Sequence, residues 1–137
     1  LAIGQRLVRR LCNDCKKRLK PEKGIRELLW REIQGFPEVV KKRLPPTAGK
    51  SPEELAIFQP AGCKKCGSSG YTGRIAVLEA LEISDRITEL VGEQASEAKI
   101  SKVAQEEGMV TMRQDGIIKA LDGVTTLEEV LRVTTES

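Results

Sequence analysis

Two cysteine pairs constrain the fold of this chain more than any other feature. Cys12 and Cys15 form one CxxC motif, Cys63 and Cys66 form a second, and the 137 residues contain no other cysteine. A CxxC turn directs two sulfurs at one centre, and two such turns complete a tetrahedron around Zn²⁺ with Zn–S distances of about 2.3 Å. Gly67 follows the second pair and suits the positive φ that such a turn requires. The sequence therefore predicts a Cys₄ metal site joining two segments that lie 47 residues apart.

Other interpretations of the four cysteines remain open at this point. Paired disulfides, a redox-active CxxC and four unrelated buried thiols compete with zinc, although a redox motif needs only one CxxC. A one-iron, rubredoxin-like centre would use the same ligands. Lys16, and not glycine, follows the first pair, and the chain has few aromatic residues; both observations favour zinc. Four cysteine ligands leave no position for water, so the ion is expected to be structural and not catalytic.

Charge is distributed unevenly along the chain. Residues 1–43 carry 13 Lys and Arg against 5 Asp and Glu, whereas residues 44–137 carry 10 against 15. A basic first third is typical of a solvated face, and it could also meet an acidic protein surface, nucleic acid or anionic lipid. Part of this charge adjoins the cysteines and would offset the net negative charge of a Zn(Cys)₄ cluster. The cations in question are Arg9, Arg10, Lys16, Lys17, Lys64 and Lys65.

The sequence offers few of the residues that catalysis requires. Histidine is absent, which excludes His-based acid–base catalysis, Ser/His triads and His-ligated catalytic metals from this chain. The segment LPPTAGKS, residues 44–51, ends like a phosphate loop, but Leu44 replaces its first glycine. Pro45 and Pro46 lack the amide hydrogens that cradle phosphate. We therefore expect a Pro-rich linker here, no catalytic or nucleotide-binding residues, and no ATP hydrolysis by this chain.

No apolar run approaches the roughly 18 residues needed to cross a bilayer, and the start LAIGQRLVRR lacks the apolar segment of a secretory signal. The sequence is most simply cytosolic. Because it begins with Leu1 in what looks like the middle of an element, we expect it to be a piece of a longer protein.

Hydrophobic spacing predicts the elements coarsely. GIRELLWREIQGF is expected to form a helix that ends near Gly35, RIAVLEALEI a strand, and LAIFQP a possible further strand, while residues 1–12 suit either a helix or a strand. Four helices are expected after residue 83. Their predicted N-terminal caps are Ser84, Ser96, a capping box of Thr111 with Gln114, and another of Thr125 with Glu128.

Three segments together resemble the C-terminal end of the secretion ATPases of type II secretion and type IV pilus assembly. They are QRLVRRLCNDCK, GCKKCGSSGYTGRIAVLEALEI and EEGMVTMRQDGIIKALDGVTTLEEVLRVT. The most specific parts are the paired CxxC motifs, the Gly-Tyr-x-Gly-Arg run that ends at Arg74, and Glu79. Ala76 and Leu78 depart from the family pattern, which commonly has glycine and an aromatic residue at these positions.

The resemblance implies an α+β, mostly helical fold. Residues 1–11 would end a RecA-like ATPase core, with a strand over residues 2–10, and residues 12–73 would form a tetracysteine zinc module with a long helical insert and the Pro-rich linker. Residues 74–83 would return to the core as a strand, and residues 84–137 would form a small helical subdomain. The parent protein would be a hexameric cytoplasmic ATPase. Its phosphate loop, its catalytic residues and the residues that bind ATP and Mg²⁺ would all lie upstream of Leu1.

The expected function is therefore non-catalytic. The chain would contact neighbouring subunits of the homo-hexamer and an inner-membrane platform protein, and it would reach the membrane only through such partners. The alternatives are a zinc-ribbon nucleic-acid-binding module, for which the aromatic residues are too scattered, and a free-standing adaptor with no motor. Arg74 and Glu79 lie five residues apart on one predicted strand and should point to opposite faces, which argues against an ion pair.

Overall fold

A long antiparallel ribbon organises the chain. The computed structural model describes residues 1–135, and in these residues the fold is α+β, as the family resemblance implies, with six α-helices, of which the sequence predicts all but the short α2. The elements are, in chain order, β1 (Ala2–Leu11), β2 (Lys17–Leu19), α1 (Lys23–Gln34), α2 (Glu38–Lys41), β3 (Ile57–Gln59), β4 (Tyr71–Leu81), α3 (Asp85–Gly92), α4 (Glu97–Glu106), α5 (Met112–Leu121) and α6 (Leu127–Thr134). Of the described helices, none combines the length and the apolar character needed to cross a membrane.

The ribbon consists of β1 and β4, which pair from Ala2 opposite Leu81 to Leu11 opposite Tyr71. The ambiguous first residues of the chain are thus a strand, because they pair with a partner about 70 residues away that local periodicity cannot reveal. Val8 and Val77 are fully buried on the face that meets the helices. The smaller strands β2 and β3 form a separate antiparallel pair, in agreement with the strand suggested by LAIFQP.

Helix α5 docks along β4 through polar contacts. The Leu78 amide donates to Asp115 Oδ2 at 2.8 Å, and Lys119 Nζ donates both to Asp115 Oδ2 at 2.7 Å and to the Ala76 carbonyl at 2.8 Å. These contacts occupy backbone groups on the outer edge of β4 that would otherwise be open to pairing with another chain.

The opposite face of the ribbon is uncovered. Ile3, Leu7 and Leu78 lie on it and are 63%, 48% and 42% exposed. Opposite residues of an antiparallel pair share a face, so the register places Ala76 and Ala80 beside them. The ribbon therefore presents an apolar strip on the side away from α5 and α6.

The main core lies between α1, the segment after it, and the last two helices. Leu29 and Ile33 of α1 are buried there, together with Phe36 and Leu55. The helix predicted between the two cysteine pairs is confirmed and ends before Gly35. Helices α3 and α4 have a smaller cluster of their own, in which the buried residues are Ile87, Val103 and Ala104.

The Pro-rich segment is packed into this core and is not a free linker. Thr47 and Ala48 are buried in a short 3₁₀ turn, and the Thr47 hydroxyl donates to the Leu121 carbonyl. The Gly49 amide donates to the Pro46 carbonyl at 3.0 Å, and the Lys50 amide donates to the Glu54 carboxylate at 2.5 Å. Both amides therefore already donate to acceptors of this part of the chain, one of them a carboxylate, and neither is free to bind phosphate.

Three of the four predicted helix caps are confirmed. The Ser84 and Ser96 hydroxyls accept hydrogen bonds from amides in the first turns of α3 and α4, and Thr111 forms a capping box with Gln114. The fourth prediction is wrong by one residue, since Thr126 and not Thr125 caps α6. Thr125 donates instead to the Arg9 carbonyl at 2.7 Å, a tertiary contact that the local sequence pattern does not reveal.

Candidate metal centre

The four cysteines meet at one end of the ribbon. Cys12 directly follows β1 and Cys66 precedes β4, so the pairing of Leu11 with Tyr71 brings the two CxxC turns together. The Cys12 amide donates to the Gly70 carbonyl at 2.9 Å, which ties the first turn to the second. All four cysteines are free thiols, and their Sγ atoms lie within 4.8 Å of one another.

The sulfur positions fit one tetrahedral ion. The Sγ–Sγ separations are 3.7 Å for Cys12 and Cys63, 3.9 Å for Cys15 and Cys66, and 3.7 Å for Cys63 and Cys66. A tetrahedron with metal–sulfur bonds of about 2.3 Å has edges of about 3.8 Å. The geometry is that of neither paired disulfides nor four unrelated thiols, and the set could hold a metal ion.

Backbone amides surround the sulfurs. The Gly62 amide donates to Cys15 Sγ at 3.3 Å, while the amides of Cys63 and Gly70 each donate to Cys66 Sγ at 3.2 Å. Burial would raise the pKa of the Cys66 thiol, but hydrogen bonds from the Cys63 and Gly70 amides, then from the Cys63 and Cys15 thiols, outweigh burial and lower that pKa to about 6. Such an environment favours the thiolate, which is the form that binds metals.

Two glycines shape the second turn differently. Gly67 has the expected positive φ of 64°, but its amide donates to the Lys64 carbonyl at 3.3 Å and not to a sulfur. The Gly70 amide supplies the N–H···S contact instead, since it donates to Cys66 Sγ. Its φ is 84°, and a Cβ there would overlap Cβ of Pro60. Position 70 therefore requires glycine for two independent reasons.

The cations beside the cysteines contact other groups. Lys65 Nζ lies 3.5 Å from Asp14, Arg10 Nε donates to the Thr72 carbonyl at 3.3 Å, and Lys16 Nζ donates to the Gly123 carbonyl at 2.9 Å. Lys17 and Lys64 are exposed. The amide dipoles, more than these side chains, thus provide the closest compensation for negative charge on the sulfurs.

The turn between α5 and α6 contacts residues that flank the metal centre. We call residues 123–126 the clasp. The Leu11 amide donates to the Val124 carbonyl at 2.8 Å, and Lys16 reaches the Gly123 carbonyl. The Tyr71 hydroxyl lies 3.2 Å from the Thr126 hydroxyl. The clasp therefore contacts residues that flank both cysteine pairs.

Glu129 extends this connection into α6. Its side chain is buried, and Oε1 accepts hydrogen bonds from the Arg9 amide at 2.7 Å and from Arg9 Nε at 3.2 Å. Arg132 Nε donates to Oε2 at 2.9 Å. The hydrogen bond from Arg132 is the main cause that lowers the pKa of Glu129 to about 2; burial opposes it and the two contacts from Arg9 reinforce it. The same pairing raises the pKa of Arg132.

Sequence reasoning missed the clasp and Glu129. Glu129 is one of two adjacent acidic residues in the first turn of α6 and looks like an ordinary dipole-stabilising residue, and only its distant partner on β1 distinguishes it. Arg74 and Glu79 lie in different environments. Glu79 accepts from the amide of Met112 at 2.9 Å, at the first turn of α5, while Arg74 is exposed and lies opposite Arg9.

The aromatic residues are engaged within the fold. Arg9 lies over the Tyr71 ring at 4.1 Å, Lys16 lies over the Phe58 ring at 5.3 Å, and Phe36 is buried. Trp30 packs against the main core. Stacking on nucleic-acid bases needs exposed rings beside cations, and these rings already have intramolecular partners.

Comparison with known proteins identifies the family of the chain. A family model described as "Type II/IV secretion system protein" matches residues 1–132. The chain belongs to this family. The match confirms the resemblance seen in the three sequence segments, and it spans the cysteine pairs, the ribbon and nearly all of α6.

Relatives of this secretion-system family member are named as assembly or secretion ATPases. The type IV pilus assembly ATPase PilB of Thermus thermophilus is 37% identical over 137 residues, which cover 98% of this chain and 13% of that protein. The type II secretion system ATPase E of Vibrio cholerae is 36% identical, covering 98% of this chain and 23% of that protein. The chain thus spans less than a quarter of the length of these relatives.

Proposed function

We propose that this chain is the non-catalytic, zinc-binding C-terminal part of a longer ATPase that powers pilus or pseudopilus assembly or protein secretion. The observation that carries the proposal is the cluster of four cysteine sulfurs in a chain homologous to a small portion of proteins named as assembly and secretion ATPases. Four protein ligands complete a tetrahedral site, which is the arrangement of structural zinc and leaves no position for a reacting water.

The residues assigned to the metal are Cys12, Cys15, Cys63 and Cys66. A bound Zn²⁺ would supply a cross-link between two turns that the chain otherwise joins through few backbone hydrogen bonds. Metal binding to such small cysteine modules contributes directly to folding free energy. The ion would accordingly hold the cysteine turn that precedes β2 against the cysteine turn that precedes β4. It would take no part in catalysis.

The uncovered face of the ribbon supports the proposed domain division. An exposed apolar strip on one face of a ribbon whose other face is packed against helices marks a surface for contact with another domain. We place residues 1–11 and 74–83 in the edge of a RecA-like core, with residues 12–73 as the zinc module and residues 84–137 as a helical subdomain. In the longer protein the apolar strip formed by Ile3, Leu7 and Leu78 would be covered by that core.

Activity and partners are proposed for the longer protein. ATP and Mg²⁺ would bind in the motor upstream of Leu1, and this chain would contribute contacts to neighbouring subunits of a homo-hexamer and to an inner-membrane platform protein. The location is then cytoplasmic, at the inner membrane only through partners, and no nucleic acid is expected among the ligands.

Metal analysis tests the centre itself. Elemental mass spectrometry of the purified chain, with all thiols reduced, should show one zinc per molecule. A Cys63→Ser variant should contain much less zinc. Ser69→Ala, a change in the same turn that leaves all four sulfurs in place, serves as the matched control. Iron in place of zinc would overturn the choice of metal, and the absence of any stoichiometric metal would overturn the metal centre.

The gene sequence upstream of Leu1 tests the motor. A phosphate loop with its first glycine intact, within one domain's length, is the expected finding. A full-length protein lacking such a loop would instead be the free-standing adaptor. In the full-length protein, Cys63→Ser should leave nucleotide binding intact, because no metal ligand is assigned to nucleotide.

A further inference from the structure

We propose that the clasp, residues 123–126, couples metal binding to the docking of α6. With the four cysteines held around the metal, the clasp is closed and α6 is fixed against β1; when the metal leaves, the clasp opens and α6 is released. This inference rests on the metal centre proposed above and adds a regulated element to it.

The first observation is that clasp contacts bracket the first cysteine pair. Leu11, one residue before Cys12, donates to the Val124 carbonyl at 2.8 Å. Lys16, one residue after Cys15, donates to the Gly123 carbonyl at 2.9 Å. Both ends of the CxxC turn are thus attached to the clasp. The Leu11 contact is made by the backbone amide, so a displacement of that turn strains it directly, whereas the Lys16 contact is made by side-chain Nζ.

The second observation is that the clasp also holds the strands that lead into the metal centre. Thr125 Oγ1 donates to the Arg9 carbonyl of β1 at 2.7 Å, and the Thr126 hydroxyl lies 3.2 Å from the hydroxyl of Tyr71 at the start of β4. Thr126 is at the same time the residue that caps α6 by accepting from the Glu129 amide at 3.2 Å. One residue therefore both begins α6 and contacts the second cysteine segment through Tyr71.

Because its threonine side chains are buried, the clasp is either fully closed or fully open. Thr125 and Thr126 are both 0% exposed. A hydroxyl buried away from water cannot exchange a lost protein partner for a solvent molecule, so a partly open clasp leaves unsatisfied polar groups. The closed state keeps every contact, the fully open state hydrates every group, and the intermediates are disfavoured.

Helices α3 and α4 provide an internal reference. Their buried residues Ile87, Val103 and Ala104 form a cluster separate from the main core. Among the described residues, the clasp hydrogen bonds named above involve β1, the first CxxC turn, Tyr71 and α6, and none involves α3 or α4. Opening of the clasp should consequently leave amide protection in α3 and α4 unchanged.

Hydrogen exchange on the zinc-loaded chain measures the coupling. Thr125→Val removes the hydroxyl at nearly constant shape and should speed amide exchange in α6 by about tenfold, with α3 and α4 unaffected. Thr125→Ser keeps the hydroxyl and should restore protection. The matched control is Thr88→Val, because Thr88 Oγ1 also donates to a backbone carbonyl, that of Ser84 at 3.0 Å, but within α3.

Reciprocity provides a second readout. If metal binding favours the closed clasp, then opening the clasp must weaken metal binding by the same factor. Competition with a chromophoric zinc chelator should show an affinity for Zn²⁺ about tenfold lower in Thr125→Val than in wild type or Thr88→Val. The four ligands are unchanged in these variants, so the loss would act through the clasp.

The outcomes separate this inference from the metal proposal. Wild-type protein that binds no Zn²⁺ overturns the proposed metal centre. Wild-type protein that binds Zn²⁺, with equal affinity in Thr125→Val, overturns only the coupling. Faster exchange throughout the chain, in α3 and α4 as much as in α6, would also overturn it, because it would indicate general destabilisation instead of clasp opening.

Discussion

The amide of Arg9 donates a 2.7 Å hydrogen bond to Oε1 of Glu129, although the two residues lie 120 positions apart. The same carboxylate receives Arg9 Nε and Arg132 Nε. A single buried side chain of α6 therefore holds the strand that leads to the first cysteine pair. Replacing it tests how much the attachment between the metal-bearing end of the ribbon and the last helix contributes to stability.

Glu129→Gln should lower the free energy of unfolding by about 2 kcal/mol, because a neutral amide cannot replace the charge-assisted hydrogen bonds. Urea unfolding followed by circular dichroism measures the change. Glu128→Gln is the matched control, since the neighbouring side chain is exposed and bonds only Gln59, at 3.1 Å, among the described residues. Equal destabilisation by the two variants would contradict the special role of Glu129.

Acid should remove the contribution of Glu129 selectively. Its pKa is lowered from an ordinary 4.5 to about 2 in the folded chain. A carboxyl whose folded pKa lies below its unfolded pKa stabilises the fold above the unfolded value and loses that contribution as pH falls through the folded value. The contribution, at most about 3 kcal/mol, should therefore be complete above pH 4.5 and vanish between pH 4.5 and 2.

The difference in stability between wild type and Glu129→Gln isolates this titration, because every other titrating group is common to both proteins. That difference should shrink steadily below pH 4.5. A constant difference between pH 5 and pH 3 would show that the carboxylate charge contributes nothing.

Gly70→Ala should destabilise the chain by about 2 to 4 kcal/mol, since alanine resists the φ of 84° and its Cβ would overlap Pro60. Gly24→Ala is the contrasting control: it lies in α1, a Cβ there meets nothing within 4 Å, and the change should stabilise by about 0.5 to 1 kcal/mol. Zinc content measured alongside should fall only for Gly70→Ala. A neutral effect at position 70 would refute the close approach to Pro60.

Gly116→Ala tests how closely α5 and α6 approach. A Cβ at position 116 would lie 2.5 Å from Cγ1 of Val130, which is fully buried. Overpacking should cost about 1 to 3 kcal/mol. The double variant with Val130→Ala removes the clash, so its destabilisation should be smaller than the sum of the two single changes by about 1 kcal/mol. Strict additivity would mean that the helices separate freely.

Features that depend on near neighbours could be predicted from the sequence. The spacing of Cys12, Cys15, Cys63 and Cys66 was sufficient to predict that the four sulfurs converge, because a CxxC turn orients its own two sulfurs. The caps at Ser84, Ser96 and Thr111 were also predicted correctly, since each hydroxyl bonds an amide only three residues away. Zinc at the cysteines and the domain division stay predictions.

Features that depend on distant partners could not be predicted in this way. By periodicity, residues 1–12 fit a helix or a strand equally well, and pairing with β4 makes residues 2–11 a strand. Thr125 is the predicted cap of α6, but it contacts Arg9 instead, and Thr126 caps the helix. In the same way the Pro-rich segment resembled a linker until Thr47 and Ala48 were found in the core.

The sequence by itself determined which side chains could bind a metal and where three of the six described helices begin, because those properties follow from chemistry within a few residues. Only the tertiary structure decided the register of the ribbon, the closure of the clasp on Lys16 and the burial of Glu129. These depend on which of many possible distant partners each group meets once the chain has folded, and local sequence carries no information on that choice.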